Sequence, residues 1–202
     1  MTFVSMEQST RADWQAICQS NEQLHGQMPE RITALLAQLE LQQGGFAVNQ
    51  LQHALQTATR ALRDNVSEEM IVAALCHDIG KTISPANHAA VAAEILKPYV
   101  SQGVYEIIST HQEFEGKYYY SYLGEDPDAR LQYVKEPWYA AACRFADEWD
   151  QKSFDPAYDS LPLEHFLPML ERVFQQPRKE MWTHRKVRIG RRWLRKLLAL
   201  FS

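Results

Sequence analysis

The 202-residue chain has only three cysteines, Cys18, Cys76 and Cys143, widely spaced and without a Cys-x-x-Cys pair. That excludes a disulfide scaffold and predicts a reduced, cytoplasmic setting. No apolar run reaches the roughly 18 residues that a membrane-spanning helix needs. The first ten residues lack both a basic start and an apolar core, so no signal peptide is expected. Without secretion, the sequon Asn65-Val66-Ser67 carries no weight. Convincing strand-like alternation, internal repeats and low-complexity segments are also missing. Hydrophobic residues at 46% and charged residues at 23% exclude a disordered or collagen-like chain.

The net charge of −4 conceals two unlike parts. Residues 178–202 hold nine of the 21 lysines and arginines against one acid, Glu180, for +8. The remainder holds 12 bases and 24 acids, for −12. An acidic body argues against nucleic acid as a partner. In the tail, Arg185, Lys186, Arg188, Arg191, Arg192, Arg195 and Lys196 are interleaved with Trp193, Leu194, Leu197, Leu198 and Phe201. We read it as a C-terminal helix that docks its apolar face on the acidic body. A membrane-surface helix or a site for an acidic partner is the alternative.

What is abundant is helical periodicity. Ile32, Leu35, Leu36 and Leu39 share one face, and so do Leu51, Leu55, Ala58 and Leu62. Ser67 is placed to cap a helix with Glu68 and Glu69 in its first turn. That helix then runs Met70 to Cys76 without a polar residue, as a helix buried all round would. Gly80 is its expected stop. Ser84-Pro85 opens an alanine-rich helix that Pro98 ends. A helix over Ser101–His111 places Val104, Ile107, Ile108 and His111 inward. Glu113 to Pro137, with Gly116, Gly124 and Pro127, is expected to be a loop. Further helices are expected over Trp138–Gln151, Leu163–Phe174 and Met181–Phe201.

His77 and Asp78 end the wholly apolar helix. A carboxylate there cannot stay bare, because desolvating an unpaired charge costs too much. His53 lies 24 residues earlier, off the leucine stripe, on a face with Gln56, Thr57 and Arg60. An antiparallel helix pair would return it to His77. His111 continues an apolar face, and His88 lines up with Val91, Ala92 and Ile95. Asp147 and Asp150 lie on a later helix beside Ala142, Cys143 and Ala146. Inward histidines with two or three carboxylates suit iron, zinc or manganese. Six protein ligands exceed what one catalytic metal takes, so two metals bridged by Asp78 fit the count better. His25, His165 and His184 are read as ordinary histidines.

The pattern of His53, then His77-Asp78-Ile79-Gly80-Lys81, then a distant aspartate resembles the HD-domain metalloenzymes. The resemblance covers about residues 30–175. It implies an all-α fold, a single HD-domain helical bundle with a basic C-terminal helix. Residues 1–29 would be an N-terminal helical segment, 30–175 the metal-binding domain and 176–202 the basic helix. The added His88 and His111 point to a two-metal branch. Gln50-Leu51-Gln52-His53-Ala54-Leu55-Gln56 resembles the first-ligand helix of the phosphonate-cleaving oxygenases. Lys81 sits where myo-inositol oxygenase has a substrate-contacting lysine, which implies a catalytic role.

By that resemblance, His53, His77, Asp78 and the last aspartate hold one iron, and Asp78, His88 and His111 the other. Asp150, after Trp149, is taken over Asp147, after Ala146. The implied cofactor is a pair of iron ions (Fe2+/Fe3+), with Mn2+, Zn2+ or Mg2+ as the alternative. The implied activity is O2-dependent oxidation or cleavage of a C–H, C–C or C–P bond in a small hydroxylated or phosphonate substrate. The relatives carry a tyrosine and an acid before the first histidine. Leu41-Gln42-Gln43-Gly44-Gly45-Phe46 carries neither, which argues against an aminoalkylphosphonate. The same ligands would serve an HD phosphohydrolase acting on a nucleotide or other phosphate ester. A third alternative is a non-catalytic module acting through the basic tail.

Overall fold

A computed structural model describes residues 3–175 and 177–178. Among these residues every regular element is helical. Helix α1 (Arg11–Gly26) starts with a reciprocal cap in which Thr10 and Asp13 satisfy each other's backbone N–H, and it buries no residue. Helix α2 (Met28–Gln38) buries Ile32 and Leu36. Helix α3 (Gln50–Arg63) is capped by Asn49, whose side chain accepts from the Gln52 N–H at 2.8 Å.

The centre of the bundle is α4 (Glu68–Cys76). Met70 through Cys76 are all buried, as their unbroken apolarity predicts. Helix α3, α6 (Gln102–Ser109) and α9 (Leu163–Phe174) pack around α4. Helix α5 (His88–Leu96) lies against α6 and against a 3-10 turn, Ile79–Thr82. Helix α7 (His111–Leu123) and α8 (Tyr139–Arg144) complete the domain. The chain continues from α8 into a π-helical turn, Phe145–Asp150.

Several boundaries differ from the sequence expectations. Helix α4 stops at Cys76, before Gly80, because Asp78 leaves helical geometry at φ −103° and ψ 2°. Gly80 serves a different purpose. A β-carbon there would overlap the carbonyl oxygen of His88, so its absence lets α5 approach the turn after α4. Ser67 occupies the N-cap of α4 but its side chain makes no capping bond. Glu68 and Glu69 instead hold Arg172, Arg178 and Ser101. A 3-10 turn, Pro85–Asn87, precedes α5, so proline opens that turn rather than the helix.

The expected helix over 101–111 is two helices. Thr110 breaks it at φ −113° and ψ 5°, its hydroxyl donating to the Glu106 carbonyl at 2.7 Å. The expected loop over 113–137 is largely helix, since α7 runs to Leu123. Gly116 reads as a breaker but is a buried helical residue. The actual stop is Gly124, left-handed at φ 76°. Among the described residues no helix is long and apolar enough to cross a membrane. The tail readings, including the helix over Met181–Phe201 and its membrane alternative, lie outside the described residues.

Gly80→Ala is expected to cost about 2 kcal/mol, because the methyl meets backbone that cannot rotate away. Urea unfolding of the two proteins measures this. An unchanged midpoint would show that α5 can retreat freely.

Candidate metal centre

Helix α3 buries polar side chains beside Ala54, Ala58 and Ala61 and leaves the leucines of its stripe at the margin of the core. Gln50, His53, Gln56, Thr57 and Thr59 are buried, while Leu51, Leu55 and Leu62 are only partly so. The polar face is occupied because it organises the segment after the π turn. Gln56 donates to the Asp155 carbonyl at 2.8 Å, Arg60 to the Lys152 carbonyl at 2.9 Å, and Thr59 accepts from the Leu161 N–H at 3.0 Å. His53 Nδ1 bonds the Ser153 carbonyl at 3.0 Å. Asp64, just past α3, accepts from Trp149 Nε1 at 2.6 Å and Arg144 Nε at 3.0 Å, tying down both ends of the π turn's approach.

Four histidines then share one arrangement. Nδ1 of His53, His77, His88 and His111 faces the carbonyls of Ser153, Ala74, Pro85 and Ile108 at 2.7–3.0 Å. A carbonyl can only accept, so each Nδ1 carries a proton and each Nε2 is the nitrogen turned toward the cluster. The Nε2 atoms converge. His53 and His77 are 3.0 Å apart at Nε2, and Asp150 Oδ1 lies 3.0 Å from the first and 3.4 Å from the second.

Asp78 stands between the two histidine pairs. Its Oδ2 is 3.5 Å from His53 Nε2 and 3.3 Å from His77 Nε2. Its Oδ1 is 3.1 Å from His88 Nε2 and 3.7 Å from His111 Nε2. The six side chains are all buried. Asp78 Oδ1 and both carboxylate oxygens of Asp150 lack a hydrogen-bond partner among the described residues. Each such atom costs on the order of 1–3 kcal/mol or more when charged. Converging ring nitrogens and orphaned carboxylate oxygens fit cations, and nitrogen with oxygen donors suits iron, zinc or manganese. Triads that could hold an ion are His53, His77 and Asp150, and His77, Asp78 and His111.

The sequence-predicted residues thus come together, His53, His77, Asp78, His88, His111 and Asp150 in one cluster and Lys81 at its edge. Lys81 Nζ contacts Asp78 Oδ2 at 2.5 Å and Gln50 Oε1 at 2.7 Å. Asp147 faces away, bonded to Arg130 and to the Tyr118 hydroxyl at 2.8 Å each. The π turn makes this separation. The Gln151 N–H reaches back five residues to the Ala146 carbonyl, at 3.2 Å, and Asp150 is carried inward with Phe145, Ala146 and Trp149.

Glu115 was not anticipated. It forms a third triad with His111 and Asp150. Its signal was the spacing of four from His111, which acquires meaning only once residues 111–123 are helical. Gln50, which supports Lys81, was also missed as a site residue. A cavity of about 490 Å³ opens beside the cluster. Phe46, Phe154, Tyr118, Tyr119, Lys81 and Glu115 are on its wall. Phe154 stacks on the His53 ring at 4.3 Å, and Phe46 stacks on Phe154 at 4.5 Å. Tyr118 and Tyr119 belong to α7 rather than to a loop.

Protonation follows from the same geometry. Burial opposes charge on His77, but the Asp78 and Asp150 carboxylates override it and hold its pKa well above the ordinary 6.5. Burial opposes the charge on Asp78 and Asp150 as well, yet the histidines hold both carboxyls well below the ordinary 3.8. Burial, then the Asp150 and Asp78 carboxylates, push Glu115 well above 4.5.

Residues 51–150 match the family model described as HD domain. No curated protein matches the chain.

Two metal ions per chain are expected at saturation. His88→Ala is expected to retain one and Asp78→Ala neither, as measured by elemental analysis after gel filtration. The pH dependence of the chelated protein has a defined sign. A raised folded-state pKa on His77 gives stability that is complete below about 6.5 and lost as pH rises through the raised value. The lowered carboxyls give stability present above about 3.8 and lost as pH falls. The Tm of the chelated protein should therefore fall as pH rises above about 6.5, and metal should remove that fall by displacing the proton. Calorimetry with and without metal measures both.

Proposed function

We propose that this chain, whose residues 51–150 match the HD-domain family of generally metal-dependent enzymes, is an O2-dependent diiron oxygenase acting on a small polar substrate. The observation that carries the two-metal reading is Asp78, whose two oxygens face different histidine pairs. His53, His77, Asp78 and Asp150 would hold one iron, and Asp78, His88 and His111 the other. When bound, the two irons would supply O2 activation and the redox equivalents for breaking a C–H, C–C or C–P bond.

The cavity wall favours this reading over phosphate-ester hydrolysis. Lys81 is the sole lysine or arginine among the described wall residues, and it is already engaged by Asp78 and Gln50. A phosphate ester, like a phosphonate, brings one or more full negative charges, which such a wall answers poorly, so C–H or C–C bonds fit it better than C–P. A hydroxylated substrate needs only hydrogen bonds. Lys81 Nζ can donate one to a substrate oxygen from its place at the cluster edge. Phe154 and Phe46 cover the His53 ring and keep water from that side. The carbonyls behind the four Nδ1 atoms keep each Nε2 aimed at the cluster.

Anaerobically prepared, partly reduced iron protein is expected to give the EPR signal of a coupled Fe(II)/Fe(III) pair. Absence of that signal, together with Mn- or Mg-dependent phosphatase activity, would establish the phosphohydrolase instead. Lys81→Met is expected to lower kcat/KM by about ten- to a hundredfold, the loss of one charge-assisted contact.

A further inference from the structure

A second hollow, of about 520 Å³, opens outside the metal centre, where the starts of α4 and α6 meet α8 and the π turn. Met70, Val104, Ile107, Trp138, Ala141 and Trp149 give it apolar walls. Arg144, the sole lysine or arginine among its described wall residues, is paired with Asp64 at 2.8 Å. Acids adjoin these walls. Glu69 accepts from the hydroxyl of the wall residue Ser101 at 2.7 Å and from its N–H at 3.0 Å. Glu106 accepts from the Gln102 amide at 2.6 Å, and Glu136 directly precedes Pro137, both partners being wall residues. Glu106 and Glu136 have no ion-pair partner among the described residues. An apolar groove with an acidic rim suits an apolar segment that carries positive charge. It repels nucleic acid, anionic lipid and the acidic body of a second copy.

The chain itself leads a segment of that kind to the groove. Its last described residue, Arg178, donates its N–H to the Pro98 carbonyl at 2.7 Å and its guanidinium to Glu69 at 2.9 Å. Arg178 and the wall residue Ser101 therefore share one carboxylate at the rim. Residues 179–202 follow, with lysine and arginine in excess over the single acid Glu180, and with Trp182, Trp193, Leu194, Leu197 and Phe201 among their apolar residues. We propose that the groove is the docking site of residues 179–202 of the same chain, whose apolar side chains fill it while their lysines and arginines meet the acidic rim. A short tether from Arg178 holds the segment at an effective concentration of roughly millimolar beside the groove. Trp149 is a wall residue and precedes Asp150, so the docked segment abuts the π turn that carries that acid. The proposal is independent of the metals that the histidine cluster takes and of the reaction.

The test uses the full-length protein with the photo-crosslinking residue p-benzoylphenylalanine placed at Ala141 or, separately, at Gln102. Both positions are exposed on the groove wall, so each serves if the other variant fails to fold. Gln52, exposed on α3, is the control position. After irradiation, peptide mapping by mass spectrometry is expected to find residues 179–202 captured from the groove at least about tenfold more often than from Gln52, as a tethered, site-specific contact requires. No capture from either groove position, or equal capture from Gln52, overturns the proposal. Equal amounts of isotope-labelled and unlabelled chains identify the donor of the segment. Crosslinks within one chain support the proposal, and crosslinks between a labelled and an unlabelled chain overturn it in favour of a second copy. Irradiation with phosphatidylcholine–phosphatidylserine vesicles tests the membrane alternative. Attachment of the groove to lipid in place of residues 179–202 overturns the proposal. Ala141→Arg adds a like charge to the wall and is expected to lower capture from Gln102 severalfold, whereas unchanged capture overturns the proposal.

Discussion

The carboxylate of Asp78 is buried among four imidazoles, with one oxygen toward His53 and His77 and the other toward His88 and His111. A bare charge at that depth would cost several kcal/mol, a sizeable part of a domain's stability. Much of the fold serves to make the placement tolerable. Helix α4 delivers Asp78 to the interior, because its apolar surface can be buried on every side. The turn after α4 brings Lys81 back onto the carboxylate. The missing side chain of Gly80 admits the His88 backbone against that turn. Each of the surrounding histidines is fixed by a backbone carbonyl behind it, so the cluster is organised before any cation arrives.

The second constraint is how the last acid reaches the cluster. Asp150 is some seventy residues from Asp78 in sequence and arrives on a π-helical turn, a geometry that adds a residue to the helical circuit. The turn is pinned from α3's end by Asp64, through Trp149 and Arg144, and the segment behind it by Gln56, Thr59 and Arg60. Helix α3 thus has two tasks. Its histidine joins the cluster, and its amides, hydroxyls and guanidinium hold the chain that carries Asp150. This explains why α3 buries polar side chains beside its alanines.

The all-helical fold was legible because the apolar residues recur at helical spacing and convincing strand alternation is missing. His53, His77 and Asp78 stood out because a polar pair at the end of a wholly apolar helix demands compensation, and His88 and His111 because each continues an inward face. Glu115 did not stand out. Gly116 suggested a break in the chain there, and the four-residue step from His111 counts only within a helix. Packing overrode that propensity, since a buried helix segment tolerates a glycine's cost of about 1 kcal/mol when its neighbours gain contact. The choice between Asp147 and Asp150 was equally local in appearance, since both lie three residues apart on one helical stretch.

By itself the sequence determined which residues must be buried, that they lie on helices, and that a carboxylate with histidines needs a charge-compensating centre. Those consequences follow from periodicity and desolvation, which act within a few turns of chain. Only the tertiary structure decided which oxygen of Asp78 faces which histidines, which late aspartate turns inward, and that Glu115 comes within reach of His111 and Asp150. These depend on hydrogen bonds and close approaches between segments up to about a hundred residues apart, such as His53 to Ser153 and Gln56 to Asp155. No local pattern encodes such distances, because they arise when all the helices share one core.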